Sequence, residues 1–370
     1  MKYYIIAGEA SGDLHGANLM KELLKKDPNA EIRFWGGDLM EASGGTLVKH
    51  YRDLAFMGFA EVVQNLKTIL NNIKFCKEDI STFKPDVIIF IDYPGFNMRI
   101  AKWAKQRSIP THYYISPQIW AWKESRIKAI KRDVDQMYII LPFEKEFYET
   151  KHNFPVEFVG HPLIDAIRHR PETNEANFRY ENNLGDKPVI ALLPGSRKQE
   201  ISKLLSVMLS VVDDFPDYQF VIAGAPGQEA SFYTQFLKNS NVSIIYNKTY
   251  ALLDIAHAAL VTSGTATLET ALFKVPEVVC YKGGWISYQI AKRILTLKYI
   301  SLVNLIMDKE VVKELIQDEC SKKNITLELS RILETEHRRN LLKAYDLLEE
   351  KLGGPGASEK TASLIIKHLT

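Results

Sequence analysis

Two turns in the second half of the chain carry the residue types that hold an anion. Pro194-Gly195-Ser196-Arg197 follows the apolar run 189–193 and precedes a segment with Leu204, Leu205, Met208, Val211 and Val212 on one side. Thr262-Ser263-Gly264-Thr265 follows Ala258-Ala259-Leu260-Val261 and leads into Leu268, Glu269, Ala271, Leu272 and Phe273. Each reads as a buried strand turning sharply into a helix, where unpaired backbone N–H groups and the positive dipole end meet whatever lies above the turn. Gly195, Ser196, Ser263, Gly264 and Thr265 are small enough to admit a phosphate, and Arg197 adds a planar cation suited to a diphosphate. Alone, either turn is a cheap strand-to-helix connector; the pair is the stronger sign. Glu269, one turn into the second helix, is placed either to reach a ribose diol or merely to favour its helix N-terminus.

The first half carries a different chemistry. Gly8-Glu9-Ala10-Ser11-Gly12-Asp13-Leu14-His15-Gly16 follows the first strand and matches neither GxGxxG nor GxSxG, so it suits a polar ligand other than a dinucleotide. Its plainer reading makes Ser11 and Asp13 the cap and capping partner of the first helix. Asp92 ends the strand 86–91, at the carboxyl end where parallel sheets bind ligands, and is the candidate general base. A cap or Asx turn before Pro94 is the alternative. Ser116, Gln118 and Trp120 lie together at another strand end beside Trp122, aromatic faces next to hydrogen-bonding groups, as a sugar site or a core would have them. Asp133 and Asp135 match a metal-holding DxD, but they lie at a strand's entry, and the nine histidines form no ligand set. No metal or cofactor is expected.

These residues need strands alternating with helices to position them. Strands are expected near 3–7, 31–35, 86–91, 111–115, 137–141 and 156–159, then 189–193, 219–223, 242–246, 258–262 and 277–281, with helices between. That pattern predicts two Rossmann-like α/β domains with parallel sheets: 1–165, a linker at 166–187 marked by Pro171, Asn182, Asn183 and Gly185, then 188–350. In the terminal segment 351–370, Gly353-Gly354-Pro355-Gly356 precedes a last helix, capped by Ser358, that packs on the first domain or on a neighbouring subunit of a homodimer. The 370 residues exceed what one core serves, and 46% hydrophobic with 25% charged residues is globular composition. A net charge of +2 does not call for nucleic acid. Cys76, Cys280 and Cys320 are too scattered for a disulfide framework, no apolar run spans a bilayer, and no signal peptide opens the chain, so a cytoplasmic setting is expected.

One segment hints at a membrane. Phe59, Val62, Val63, Leu66, Ile69, Leu70 and Ile73 lie along one broad helical side, usually a core face. Lys123, Arg126, Lys128, Lys131 and Arg132 form a basic run that either attracts anionic lipid or a phosphorylated acceptor, or simply faces solvent.

GEASGD at 8–13, MGFAEV at 57–62, IDYPGFN at 91–97, SPQIWAWK at 116–123, LPFEKEFY at 141–148, VGHP at 159–162, LPGSR at 193–197, SGTATLE at 263–269, SLVNL at 301–305 and VKELIQ at 312–317 resemble, in order, the blocks of the lipid-A-disaccharide synthases, inverting glycosyltransferases of the B-type fold. The resemblance runs over roughly residues 1 to 320. It implies two sheets facing across a cleft, and transfer of 2,3-diacylglucosamine from UDP to the 6-hydroxyl of 2,3-diacylglucosamine 1-phosphate (lipid X) at the inner-membrane surface, forming a β-1,6 disaccharide 1-phosphate. It further implies Asp92 as base, Arg197 with the two helix N-termini on UDP, Glu269 on ribose, and Asn304 reaching the cleft from the nucleotide domain. Glu9, Ser11, Asp13, Ser116, Gln118 and Trp120 would line the acceptor side, and the face 59–73 would dip into the membrane. The family commonly has a second Asp where this chain has Gly95. A UDP-N-acetylglucosamine 2-epimerase, which would need no apolar surface, and a non-catalytic membrane-associated nucleotide-binding protein, which Gly95 would favour, are the alternatives.

Overall fold

The structure, a computed structural model, describes residues 1–54, 66–225, 227–237, 242–283 and 298–370. The chain forms two compact units, one of Met1–Arg168 with Leu352–Thr370, the other of His169–Lys351. Each has its own sheet and core.

In the first unit, β1 (Lys2–Ala7), β2 (Glu31–Gly36), β3 (Thr46–His50), β4 (Val87–Ile91), β5 (Thr111–Tyr114), β6 (Gln136–Ile139) and β7 (Glu157–Phe158) pair in parallel in the order β3-β2-β1-β4-β5-β6-β7. The runs Tyr3 to Ala7 and Val87 to Ile91 are buried throughout because helices cover both faces, which is why they read as unbroken apolar stretches. Helices α1 (Ala10–Lys26), α2 (Asp38–Ala42), α3 (Leu66–Phe83), α4 (Pro94–Lys105), α5 (Pro142–Lys145) and α6 (Pro162–Arg168) connect or flank them. β3, a short edge strand with partly exposed residues, carries too little apolar pattern to be read from sequence.

In the second unit, β8 (Val189–Leu193), β9 (Gln219–Gly224), β10 (Ser243–Tyr246), β11 (Ala256–Thr262), β12 (Glu277–Tyr281) and β13 (Lys313–Ile316) pair in the order β10-β9-β8-β11-β12-β13. The segment 166–187 contains the end of α6 and a further helix, α7 (Glu175–Glu181), and the units part between Arg168 and His169. Helices α8 (Lys198–Leu209), α9 (Thr265–Leu272) and α10 (Leu302–Met307) matter for the site, and α11 (Ala357–Leu369) returns to the first unit and packs on α1. Its cap is not Ser358. Asp165 of α6 accepts from the Gly356 N–H (2.6 Å) and the Ser358 N–H (3.0 Å), satisfying the helix start from another element.

Candidate active site

Both sheets reverse their strand order at one point, between β1 and β4 in the first unit and between β8 and β11 in the second. Within each unit the loops leaving those two strands lie at the carboxyl end of the sheet, where parallel sheets take ligands. The motifs at 8–13, 91–97, 193–197 and 263–269 fall on these four loops, and the one at 116–123 follows β5.

In the first unit the β1 loop starts at Gly8 and the β4 loop at Asp92. The Tyr93 ring lies against Gly8 so closely that a Cβ there would come within 2.3 Å of it, so only glycine lets the two loops touch. Asp92 and Tyr93 both adopt the left-handed region, at φ 43° and 50°. Asp92's backbone is pinned: its N–H donates to the Tyr114 carbonyl (3.1 Å), while Tyr113 Oη (2.6 Å) and Asn97 Nδ2 (2.7 Å) donate to its own carbonyl. Burial first and the nearby Glu9 charge second push its carboxyl up to about 6, with the Tyr93 N–H offsetting part of the rise. An acid that ionises near neutrality at a switch point suits a general base. A Cβ at Gly95 would meet no described atom within 4 Å.

Three residues read as acceptor contacts have other work. Asp13 is buried and accepts from the N–H groups of Gly37 (2.8 Å), Leu39 (3.1 Å) and Met40 (3.0 Å), capping α2 across the β1–β2 layer. Ser116 Oγ (2.5 Å) and Trp120 Nε1 (3.1 Å) both donate to Glu144, a buried acid that sequence reasoning passed over because nothing in LPFE separates it from an ordinary helix-start glutamate. Glu9, Ser11 and Gln118 are exposed beyond the carboxyl ends of β1 and β5. Asp133 is clamped by Arg132 (2.6 Å twice), and Asp135 by Lys105 and Thr111, both ahead of β6.

The apolar segment divides. Phe59, Val62 and Val63 lie outside the described residues, as does the Leu66 side chain. Ile73, at 7% exposure, joins Cys76 and Ile80 in the first core with Ile69 packed against it, so Ile69 and Ile73 are core residues and not membrane-facing ones. Leu70 (54%) and Phe75 (45%) point outward from the same helix.

In the second unit the two turns lie side by side, since β8 and β11 are neighbours with Leu193 opposite Val261. Gly195 has φ 108°, and a Cβ there would come within 2.8 Å of Glu200 Oε2, so the turn requires glycine. Gly264, φ 145°, opens α9 with no described atom within 4 Å of where a Cβ would stand, leaving its backbone accessible. Ser196 and Thr265 are exposed, Arg197 is exposed at the start of α8, and Ser263 Oγ donates to the Ile300 carbonyl (2.9 Å). Glu269 accepts from Tyr250 Oη (3.0 Å), and burial raises its carboxyl above the usual range. Asn304 corrects the expectation: it is fully buried, its Nδ2 donates to the Val312 carbonyl and Glu314 Oε1 (2.9 Å each), and its Oδ1 accepts from Val311 (2.7 Å) and Val312 (3.0 Å). Every polar site it has is spent on tying α10 to β13, so it supports the segment under Ser263 and cannot touch a ligand.

Two parallel doubly wound sheets, each with its functional loops at its switch point, define the class: an α/β protein like the B-type glycosyltransferases and UDP-GlcNAc 2-epimerases. The UDP-GlcNAc 2-epimerase from Neisseria meningitidis superposes with a TM-score of 0.72 at 14% identity over 99% of this chain and 100% of that one. The glycosyltransferase of kitacinnamycin gives 0.69 at 13% identity over 100% and 99%. Within that class the sequence is decisive: the family model for lipid-A-disaccharide synthetase matches residues 3–367, and the chain belongs to that family. The lipid-A-disaccharide synthase of Geobacter metallireducens is 38% identical over 372 residues, covering 99% of this chain and 96% of the relative. The protein is therefore a glycosyltransferase of lipid A biosynthesis.

Proposed function

We propose that the chain transfers a 2,3-diacylglucosaminyl group with inversion from UDP to the 6-hydroxyl of 2,3-diacylglucosamine 1-phosphate. The acceptor oxygen bonds to the donor's anomeric carbon while Asp92 takes the hydroxyl proton, and the bond to UDP breaks with its electron pair going to the β-phosphate. Arg197 and the amides opening α8 and α9 meet that developing charge, and Glu269 takes the ribose. One observation carries the reading: an acid held at the first unit's switch point with its backbone pinned and its carboxyl raised to about 6.

Both substrates are amphiphiles, and the reading includes work at an anionic membrane surface. No helix among the described residues is long and apolar enough to cross a bilayer. Leu70 and Phe75 supply outward apolar area. Trp122, 48% exposed with Lys123 Nζ 4.2 Å above its ring and Arg126 at 5.6 Å, supports the same reading, because tryptophan beside cations suits the headgroup level.

Incubation with the two lipid precursors is expected to give the disaccharide 1-phosphate and UDP. Asp92→Asn, which keeps a residue tolerant of the left-handed backbone, is expected to bind UDP as before and turn over about two to four orders of magnitude more slowly. Retention of more than about a tenth of the activity removes Asp92 as base, and C2 epimerisation of UDP-N-acetylglucosamine without disaccharide overturns the function.

A further inference from the structure

We propose that Glu144 is a positioning residue for the acceptor side of the transfer, holding the loop 116–122 in place against the strand ladder that carries Asp92. The inference rests on the function proposed above. The loop is strained at both ends. Ile115, before it, has φ 64°, a conformation that β-branched residues rarely adopt, and Lys123, after it, has φ 57°. Such backbone persists only when its surroundings over-determine it.

Glu144 supplies that determination. It is 1% exposed, and its Oε1 accepts from Ser116 Oγ (2.5 Å) and Trp120 Nε1 (3.1 Å), while Oε2 accepts from the N–H groups of Ile140 (3.2 Å) and Leu141 (3.0 Å). One carboxylate thus ties the loop to the exit of β6 and the start of α5. Tyr148 Oη adds a bond to the Pro117 carbonyl (3.2 Å), and the Trp120 ring meets Phe143 edge-on at 4.8 Å. The anchored ladder is the one that fixes the base: Ile115 N–H donates to the Tyr138 carbonyl on β6 (3.1 Å), and the preceding residues, Tyr113 and Tyr114, make the two β5 contacts that pin the Asp92 backbone. Gln118 remains exposed on the loop so held. A buried carboxylate is costly unless its lone pairs are filled, and here four donors fill them; a mere packing role would be served as well by an apolar side chain.

The donors also dictate the test. Trp120 Nε1 and the two backbone N–H groups cannot accept, so a glutamine at 144 can satisfy the backbone with its oxygen and Ser116 by reversal of the hydroxyl, but it must abandon Trp120. Trp120→Phe removes that same bond from the other side and keeps the ring against Phe143. Each variant is expected to raise the acceptor KM about tenfold, to leave UDP affinity by calorimetry unchanged, and to speed backbone hydrogen exchange at 115–123; the double variant is expected to be no worse than Glu144→Gln alone. Should Glu144→Gln not fold, Trp120→Phe decides. Variants with acceptor KM and kcat within about twofold of wild type, or with losses confined to melting temperature, overturn the positioning role while the transferase stands. A wild-type protein that forms no disaccharide overturns the function, and this inference with it.

Discussion

Asp92 is unusual in backbone before it is unusual in chemistry. Left-handed Asp92 and Tyr93 in succession re-aim the strand end, and Tyr113, Tyr114 and Asn97 hold it so. Because Glu9's charge helps to raise the Asp92 carboxyl, the kcat/KM profile is expected to have an acid limb near pH 6, and Glu9→Gln is expected to move that limb to lower pH. The limb staying in place would remove Glu9 from the base's surroundings. Arg197 and Asn304 are both polar residues of the second unit, yet their variants should fail differently. Arg197→Ala is expected to weaken UDP binding with little change in melting, since Arg197 is exposed. Asn304→Ala is expected to lower the melting temperature first, by leaving the Val311 and Val312 amides and Glu314 short of partners. Calorimetry beside a thermal melt separates the two. The places of Asp92 and Arg197 just after strands were legible because a strand running into a turn is local in sequence. Asn304 and Asp13 were misread because what spends their polar atoms lies 7 to 27 residues away.

At the scale of elements, α3 shows how an amphipathic pattern conceals two faces. Ile73→Ser is expected to cost about 2 kcal/mol or more, as a truncated core residue does, because Ile73 is buried with Cys76 and Ile80. Leu70→Ser with Phe75→Ser is expected to leave the melt nearly unchanged and to reduce sedimentation with anionic vesicles. A double variant that still sediments like wild type removes this helix from the membrane reading. Apolar periodicity identified the helix but not the partner of each face, since a core and a bilayer reward the same residues.

At the scale of the molecule, two sheets with two cores make a single unfolding transition no foregone conclusion. With UDP placed as proposed over the starts of α8 and α9, UDP is expected to raise the stability of the second unit first, by mass action. That unit also carries Glu277, fully buried at the start of β12, with neither carboxyl oxygen bonded among the described residues. Burial raises its pKa well above the ordinary value, so the folded state keeps a proton that the unfolded state has released. Its contribution to stability is therefore full below about pH 4.5 and is lost as pH rises through the folded value. Glu277→Gln is expected to flatten the decline of the UDP-shifted transition with rising pH, and an unchanged slope between wild type and variant contradicts a neutral Glu277.

Taken alone, the sequence determined the α/β class, the two-sheet organisation, the switch-point loops around Asp92 and Arg197, and the family, because continuous apolar runs, glycine at tight turns and ordered motifs are properties of adjacent residues. Tertiary structure alone decided that α11 belongs to the first unit and is capped by Asp165, 191 residues from its Gly356 donor. It alone decided that Ser116 and Trp120 turn inward to Glu144, and that Asn304 is a strut. Hydrogen-bond saturation of a buried polar side chain depends on which distant backbone groups are brought to it, and that is fixed only when the chain has folded.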